Sequence, residues 1–246
     1  MRRIFQSALT WCLRFLAFAV VLAALRYFLF PPRLLLRGQM LAYSRHPAAI
    51  LLHISGGIVA MTVGLFQFVE RLRDSRPTLH RTTGYVYLTA VLVAGCTGLL
   101  LSPDTPLFAA DGLGDLTRFD FSVLGLSPSF LGYSASSRFS PSQFLLVEVG
   151  FAALAVMWLL TSALALACAR QKRFGDHRAW MIRSYSLTFA AATVRLAGLP
   201  FLILTRNPVA AITCTFWSWV LNLMAAEWII RRSPESAVAR RLPQRA

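Results

Sequence analysis

Six stretches of this sequence run for about twenty residues almost without charge, and a helix of that length just crosses the ~30 Å hydrocarbon core of a bilayer. They span 7–30, 48–69, 85–101, 143–169, 185–204 and 210–230. Lipid offers no water to the backbone, so each run must close its own hydrogen bonds as a helix. The composition agrees, with 57% hydrophobic residues against 14% charged, a balance well outside that of soluble domains. The sequence therefore predicts an all-α, polytopic transmembrane helix bundle, with residues 1–231 forming a single six-span membrane domain and 232–246 a basic tail. The first run follows Arg2 and Arg3 as a signal peptide would. Arg14 interrupts it and no small-x-small cleavage site ends it, so it reads as an uncleaved anchor.

A net charge of +15 would point to nucleic acid if it formed one basic face, so its distribution decides. It follows the loops. Arg2 and Arg3, then Arg71, Arg73, Arg76 and Arg81, then Arg170, Lys172, Arg173, Arg178 and Arg183, and finally Arg231, Arg232, Arg240, Arg241 and Arg245 fall on alternate connections and the ends. The opposite set holds only Arg33, Arg37, Arg45, Arg118, Arg138 and Arg206, while Arg14, Arg26 and Arg195 lie within spans. The positive-inside bias predicts both termini in the cytoplasm of a bacterial inner (plasma) membrane. It points to anionic lipids at the cytoplasmic face as the partner of the basic segments, and to no nucleic acid. Cys12, Cys96, Cys168 and Cys214 stand singly without metal or redox spacing and read as small packing residues.

The connections 70–84 and 170–184 are short, so each joins two antiparallel neighbours. They share an echo, because His80-Arg81 leads into Tyr87-Leu88-Thr89 and His177-Arg178 leads into Tyr185-Ser186-Leu187-Thr188. A parallel repeat would place both His-Arg pairs on one membrane face. The one long connection, 102–142, is periplasmic in this topology and carries Phe119, Phe121, Phe130 and Tyr133, which suit a segment on the bilayer surface or capping the bundle.

Four groups of residues stand out for chemistry. On the second span His53, Gly57, Ala60, Gly64, Gln67 and Arg71 recur every three or four residues, the pattern of a close helix-packing seam in which His53 and Gln67 add polar ends. Arg195 lies about ten residues into the fifth span, where a charge costs at least ~2.5 kcal/mol, so it should face inward and be paired. Glu148 near the outer end of the fourth span is the preferred partner, with Glu227 on the sixth as the other. His53, Gln67, Glu148 and Arg195 are therefore the expected polar intramembrane site. His80 and His177 could hold one haem iron from opposite sides, with Arg81, Arg178 and Arg183 facing the propionates. Histidines at a membrane edge also bind phosphate headgroups or carbonyls. Arg14 and Arg26 are near enough to span ends to snorkel.

The residues His53, Gly57, Gly64 and Phe66-Gln67-Phe68, then His80-Arg81, Gly84, Tyr85 and Tyr87, and later His177-Arg178-Ala179-Trp180-Met181-Ile182-Arg183-Ser184-Tyr185 with Arg195, resemble a bacterial membrane family catalogued as domain of unknown function 2306 (DUF2306). Gly150-Phe151 and Trp158 also fit, and the similarity covers roughly residues 50–200. The resemblance implies that His53, Gln67, His80, Arg81, His177, Arg178, Trp180, Arg183 and Arg195 match motif positions. The long connection departs from the family pattern. More loosely, the arrangement is similar to six-helix di-haem cytochromes b. Those use two histidine pairs, and His53 finds no partner on the fourth span, so at most one bis-histidine haem fits.

No P-loop, Gly-x-Ser-x-Gly elbow, His-Glu-x-x-His or dinucleotide fingerprint occurs. The leading expectation is haem b, or a quinone-like ligand, bound near the cytoplasmic face by His80 and His177 for transmembrane electron transfer, which would make the chain a membrane oxidoreductase. The alternatives are a small transporter or lipid-handling protein using Arg195 and Glu148, and a structural subunit whose span-two seam meets a membrane partner or a second copy.

Overall fold

The computed structural model describes residues 2–29, 44–104, 140–205 and 207–232, and their side chains apart from those of 2–10, 195, 199, 202 and 208. The helices are α1 (Arg2–Leu29), α2 (Pro47–Gln67), the short α3 (Glu70–Ser75), α4 (Pro77–Leu101), α5 (Pro141–Arg170), α6 (Phe174–Thr188), α7 (Ala190–Thr205), α8 (Pro208–Phe216) and α9 (Trp219–Arg231). A single 3₁₀ turn, Ser102–Asp104, follows α4. Among the described residues there is no strand. Four helices start on proline at the first turn, where its missing N–H would have no partner anyway. At α5 a capping box adds to this, with Ser140 and Gln143 each accepting from the other's backbone N–H.

Four single helices, α1, α2, α4 and α5, are long and apolar enough to cross a membrane; α8 and α9 together make a fifth candidate over Val209–Arg231, and a bent pair counts as a sixth where it is taken as one span. That pair is Phe174–Val194, which joins α6 to the start of α7, with Leu196–Thr205, and the 58° turn falls about residue 195 inside α7. Pro200 explains the bend, since its ring displaces the carbonyl four residues earlier, at Leu196. The helices α4 and α6 begin at Pro77 and Phe174, earlier than the hydropathy of spans three and five suggests. Their first turns carry His80, Arg81, His177 and Arg178, so they are helical without being apolar and extend beyond the hydrocarbon. The turn between α5 and α6 shrinks to three residues, with Lys172 in the left-handed region at φ 60°. Residues 105–139 of the long connection and the tail past Arg232 lie outside the described residues.

The core is built from α2, α4, α5 and α6, with α9 against α6, α1 against α2 and α7, and α8 against α5 and α7. Close approach of α2 and α4 depends on Gly56, where a Cβ would lie 2.8 Å from the Ala90 carbonyl oxygen and 2.9 Å from the Ala94 Cβ. At Gly64 a Cβ would meet the Tyr185 ring at 2.5 Å. The packing seam of span two therefore runs through His53, Gly56, Ala60 and Gly64. The expected member Gly57 is not part of it, because a Cβ there meets nothing within 4 Å. A helix places residues 53, 56, 60 and 64 on one face just as well as 53, 57, 60 and 64, and the sequence alone does not choose between adjacent glycines. Of the cysteines only Cys168 is buried; Cys12, Cys96 and Cys214 face outward.

The two adjacent glycines should respond in opposite ways. Gly56→Ala forces backbone apart and is expected to lower stability by about 1–3 kcal/mol. Gly57→Ala should leave stability unchanged or raise it by about 0.5–1 kcal/mol through helix propensity. Thermal unfolding of the detergent-solubilised protein, followed by circular dichroism, measures both.

Candidate functional site

Two interior stripes face each other. On α4 the stripe is His80, Tyr87, Val91, Ala94 and Gly98, and on α6 it is His177, Met181, Ser184 and Thr188. They meet through side chains in the middle of the bundle. The fully buried Tyr87 hydroxyl bonds to Ser184 Oγ at 2.7 Å and Thr188 Oγ1 at 2.9 Å. From α5, Trp158 Nε1 donates to Thr188 Oγ1 at 3.0 Å, and Ser162 Oγ lies 2.7 Å from Ser184 Oγ. Next to this cluster Tyr185 donates to the Met61 carbonyl at 3.1 Å, its ring over Gly64. These are neutral groups that satisfy one another where nothing else is available to do so, and they fix the register of α4, α5 and α6.

At the basic end of the bundle His177 Nδ1 lies 2.8 Å from the Ala165 carbonyl oxygen. A carbonyl can only accept, so Nδ1 carries the proton and Nε2 presents its lone pair. His80 sits at the foot of the α4 stripe with its Nδ1 buried and without a hydrogen-bond partner among the described residues. His177 and Arg73 act on His80 electrostatically. Arg81 is exposed and Arg178 half-buried. Arg183 is engaged elsewhere: it forms a two-pronged pair with Glu227 on α9, NH2 to Oε2 at 3.1 Å, and lies 4.5 Å from the centre of the Trp180 ring. Glu227 is thereby occupied by Arg183. Gln67 also belongs to this end, where it donates to Thr83 Oγ1 at 2.8 Å.

The opposite end holds a second polar group. His53 Nδ1 donates to the Ala94 carbonyl at 2.8 Å, its ring lying against Gly98 and 6.0 Å from that of Phe151. Glu148 is one turn from Phe151 on α5, half-buried, and makes no ion pair with any described residue. At the surface Asp104 accepts from Arg45 at 2.8 Å and contacts His46 Nε2 at 2.6 Å, tying the start of α2 to the end of α4. The four residues expected to form one intramembrane site do not gather as a group. Gln67 lies fourteen residues along α2 from His53, about 21 Å away, and Arg195 is on the α7 backbone with its side chain outside the described residues.

The hydroxyl cluster and the His46–Asp104 contact were not anticipated from sequence. The cluster has a signal: Trp158 with Ser162, and Ser184 with Thr188, are polar pairs four residues apart inside otherwise apolar helices. His46 and Asp104 are 58 residues apart in the chain, and only the antiparallel packing of α2 on α4 brings them together. Among the described residues no three His, Cys, Asp or Glu side chains converge as they would around a bare metal ion.

A bundle of membrane-crossing helices with neutral hydroxyls locked at its middle and histidines and arginines at one end is a polytopic membrane protein. The chain belongs to the family of predicted membrane proteins described as DUF2306, whose model matches residues 50–133 and 121–230. No curated protein and no solved structure matches it, so the looser likeness to di-haem cytochromes b rests on sequence arrangement alone.

Removing the Tyr87 hydroxyl leaves Ser162 and Ser184 as an isolated pair. Tyr87→Phe is expected to lower the unfolding free energy by about 1–2 kcal/mol, a typical interhelical hydrogen-bond value in membranes, read by unfolding in mixed micelles. Glu227→Leu strands the half-buried Arg183 and should destabilise more than the double change with Arg183→Leu, so a double-mutant cycle is expected to show recovery in the double variant.

Proposed function

We propose that the chain is a membrane electron carrier that binds haem b at its basic end, where His80 and His177 would hold its iron. The supporting observation is the buried, unpartnered Nδ1 of His80 beside a second histidine whose Nε2 lone pair is presented by a fixed hydrogen bond. An imidazole oriented through its other nitrogen by a backbone carbonyl is the usual preparation of a metal ligand. The donor set fits the group: two imidazoles on different helices, with Arg81 and Arg178 next to them in the chain as cations that suit two propionates.

Bound there, the group would supply one-electron chemistry. The protein's own residues do the rest. Ala165 holds the ring of His177 through its carbonyl, and Gln67 and Thr83 tie α2 to the first turns of α4. Tyr87 and Met181, both buried, close the space on the membrane side and exclude water. Arg183, held by Glu227, fixes α9 against α6 rather than facing the ligand directly. In the positive-inside orientation this end faces the cytoplasm of a bacterial inner membrane, where the arginines of α3 and the α5–α6 turn also attract anionic lipid.

The test is an absorption spectrum of detergent-purified protein from haem-supplied cells, air-oxidised and then dithionite-reduced, beside a His80→Ala/His177→Ala variant. A sharp reduced-minus-oxidised band that the double variant loses is the expected outcome. A flat spectrum from folded protein overturns the reading.

A further inference from the structure

Threonines in the apolar helices follow one habit. Thr62, Thr97, Thr161, Thr188, Thr193, Thr213 and Thr215 each donate to a carbonyl three or four residues earlier, which spares the hydroxyl from facing hydrocarbon unpaired. Thr89 departs from it. About 18 Å along α4 from Pro77, it is exposed and bonds to no described residue. Across a furrow of about 500 Å³ between α2 and α4, Ser55 likewise makes no hydrogen bond to a described residue. The lining adds Thr82, Tyr85 and Val86 from α4 with Gly56 at the base, and none of it is charged. Tyr85 is 56% exposed, and its hydroxyl too bonds to no described residue.

The furrow is shallow and opens sideways on the outer surface of the bundle, where a molecule dissolved in the bilayer can lie in it. The absence of charge disfavours a phosphate or carboxylate, and the unspent hydroxyl donors favour a neutral head bearing carbonyl acceptors. The furrow begins at Thr82, within one turn's height of His80 but on the opposite face of α4. We infer that the α2–α4 furrow binds the head of a lipid-soluble quinone, with Thr89 and Ser55 donating to its carbonyl oxygens. The choice of a quinone among neutral carbonyl-bearing lipids rests on the redox reading above; the site itself rests on the hydroxyls and the shape.

The test places the full chain in phosphatidylcholine nanodiscs with a photoreactive azido-benzoquinone carrying a decyl tail, and maps the labelled peptides by mass spectrometry. Saturable labelling of residues 82–93 is expected, competed by unlabelled decyl-benzoquinone but not by decanol. Ser55→Ala/Thr89→Val should raise the half-saturating concentration about tenfold, the worth of two modest hydrogen bonds, with most of the affinity kept by Thr89→Ser. Thr89 is exposed and Ser55 half-buried at the furrow, both changes remove only a hydroxyl or replace it with a methyl, and circular dichroism checks folding. Labelling that decanol competes equally means an acyl-chain groove only and overturns the inference. So does crosslinking of α4 to a second copy in place of quinone labelling. No labelling in protein that shows the haem band removes the quinone site and keeps the redox reading. Saturable, Thr89-dependent labelling without a haem band keeps the site and removes the axial histidine pair.

Discussion

Everything in this structure follows from the lack of a free hydrogen-bond partner inside a bilayer. Each backbone run must be a helix, each helix must start and stop where water or headgroups take over, and each interior side chain with a polar atom must find another. The Tyr87 cluster meets that condition with neutral groups from three helices. Because hydrocarbon surrounds the protein, the hydrophobic effect gives helices no reason to associate with each other rather than with lipid. Close packing and internal hydrogen bonds must then hold the bundle, and both depend on how near the backbones come. Gly56 and Gly64 set that distance, and the hydroxyl cluster forms in the space they define.

Much of the fold was legible because the same constraint is written into the sequence as length and polarity. The six apolar runs correspond to helices, and proline at the first turn marks four of their starts. Legibility fails at the edges of the hydrocarbon. Hydropathy follows lipid contact, whereas a helix continues as long as its hydrogen bonds do, so α4 and α6 extend a further two to three turns through His80 and His177. It fails again at Pro200, because a bent helix and a straight one have the same composition.

The site was legible in its residues more than in its groupings. His80 and His177 were visible as matching positions on two hairpins, and they do stand within electrostatic reach of each other. Which cation serves which acid was not visible. Helix periodicity gives the face a residue occupies on its own helix but says nothing of rotation or depth relative to a neighbour. Arg183 and Glu227, separated by 44 residues, meet because α9 packs on α6. His53 and Gln67 share a face of α2 yet serve opposite ends of the bundle, since a stripe on a 21-residue helix is longer than any one site.

The sorting of polar groups by depth bears on what the protein can do with charge. Its described middle is neutral and mutually bonded, while its histidines and ion pairs lie toward the two ends. Adding an electron to a group in low dielectric costs far less when fixed positive charge or water is near. At the end bearing His80, Arg73 is within reach and Arg81 and Arg178 are on adjoining positions, so a unit of negative charge there is offset locally. At Tyr87 the bonded partners are neutral hydroxyls, which offset it far less. A bundle arranged this way takes up charge more readily at its basic edge than among the bonded hydroxyls at its centre.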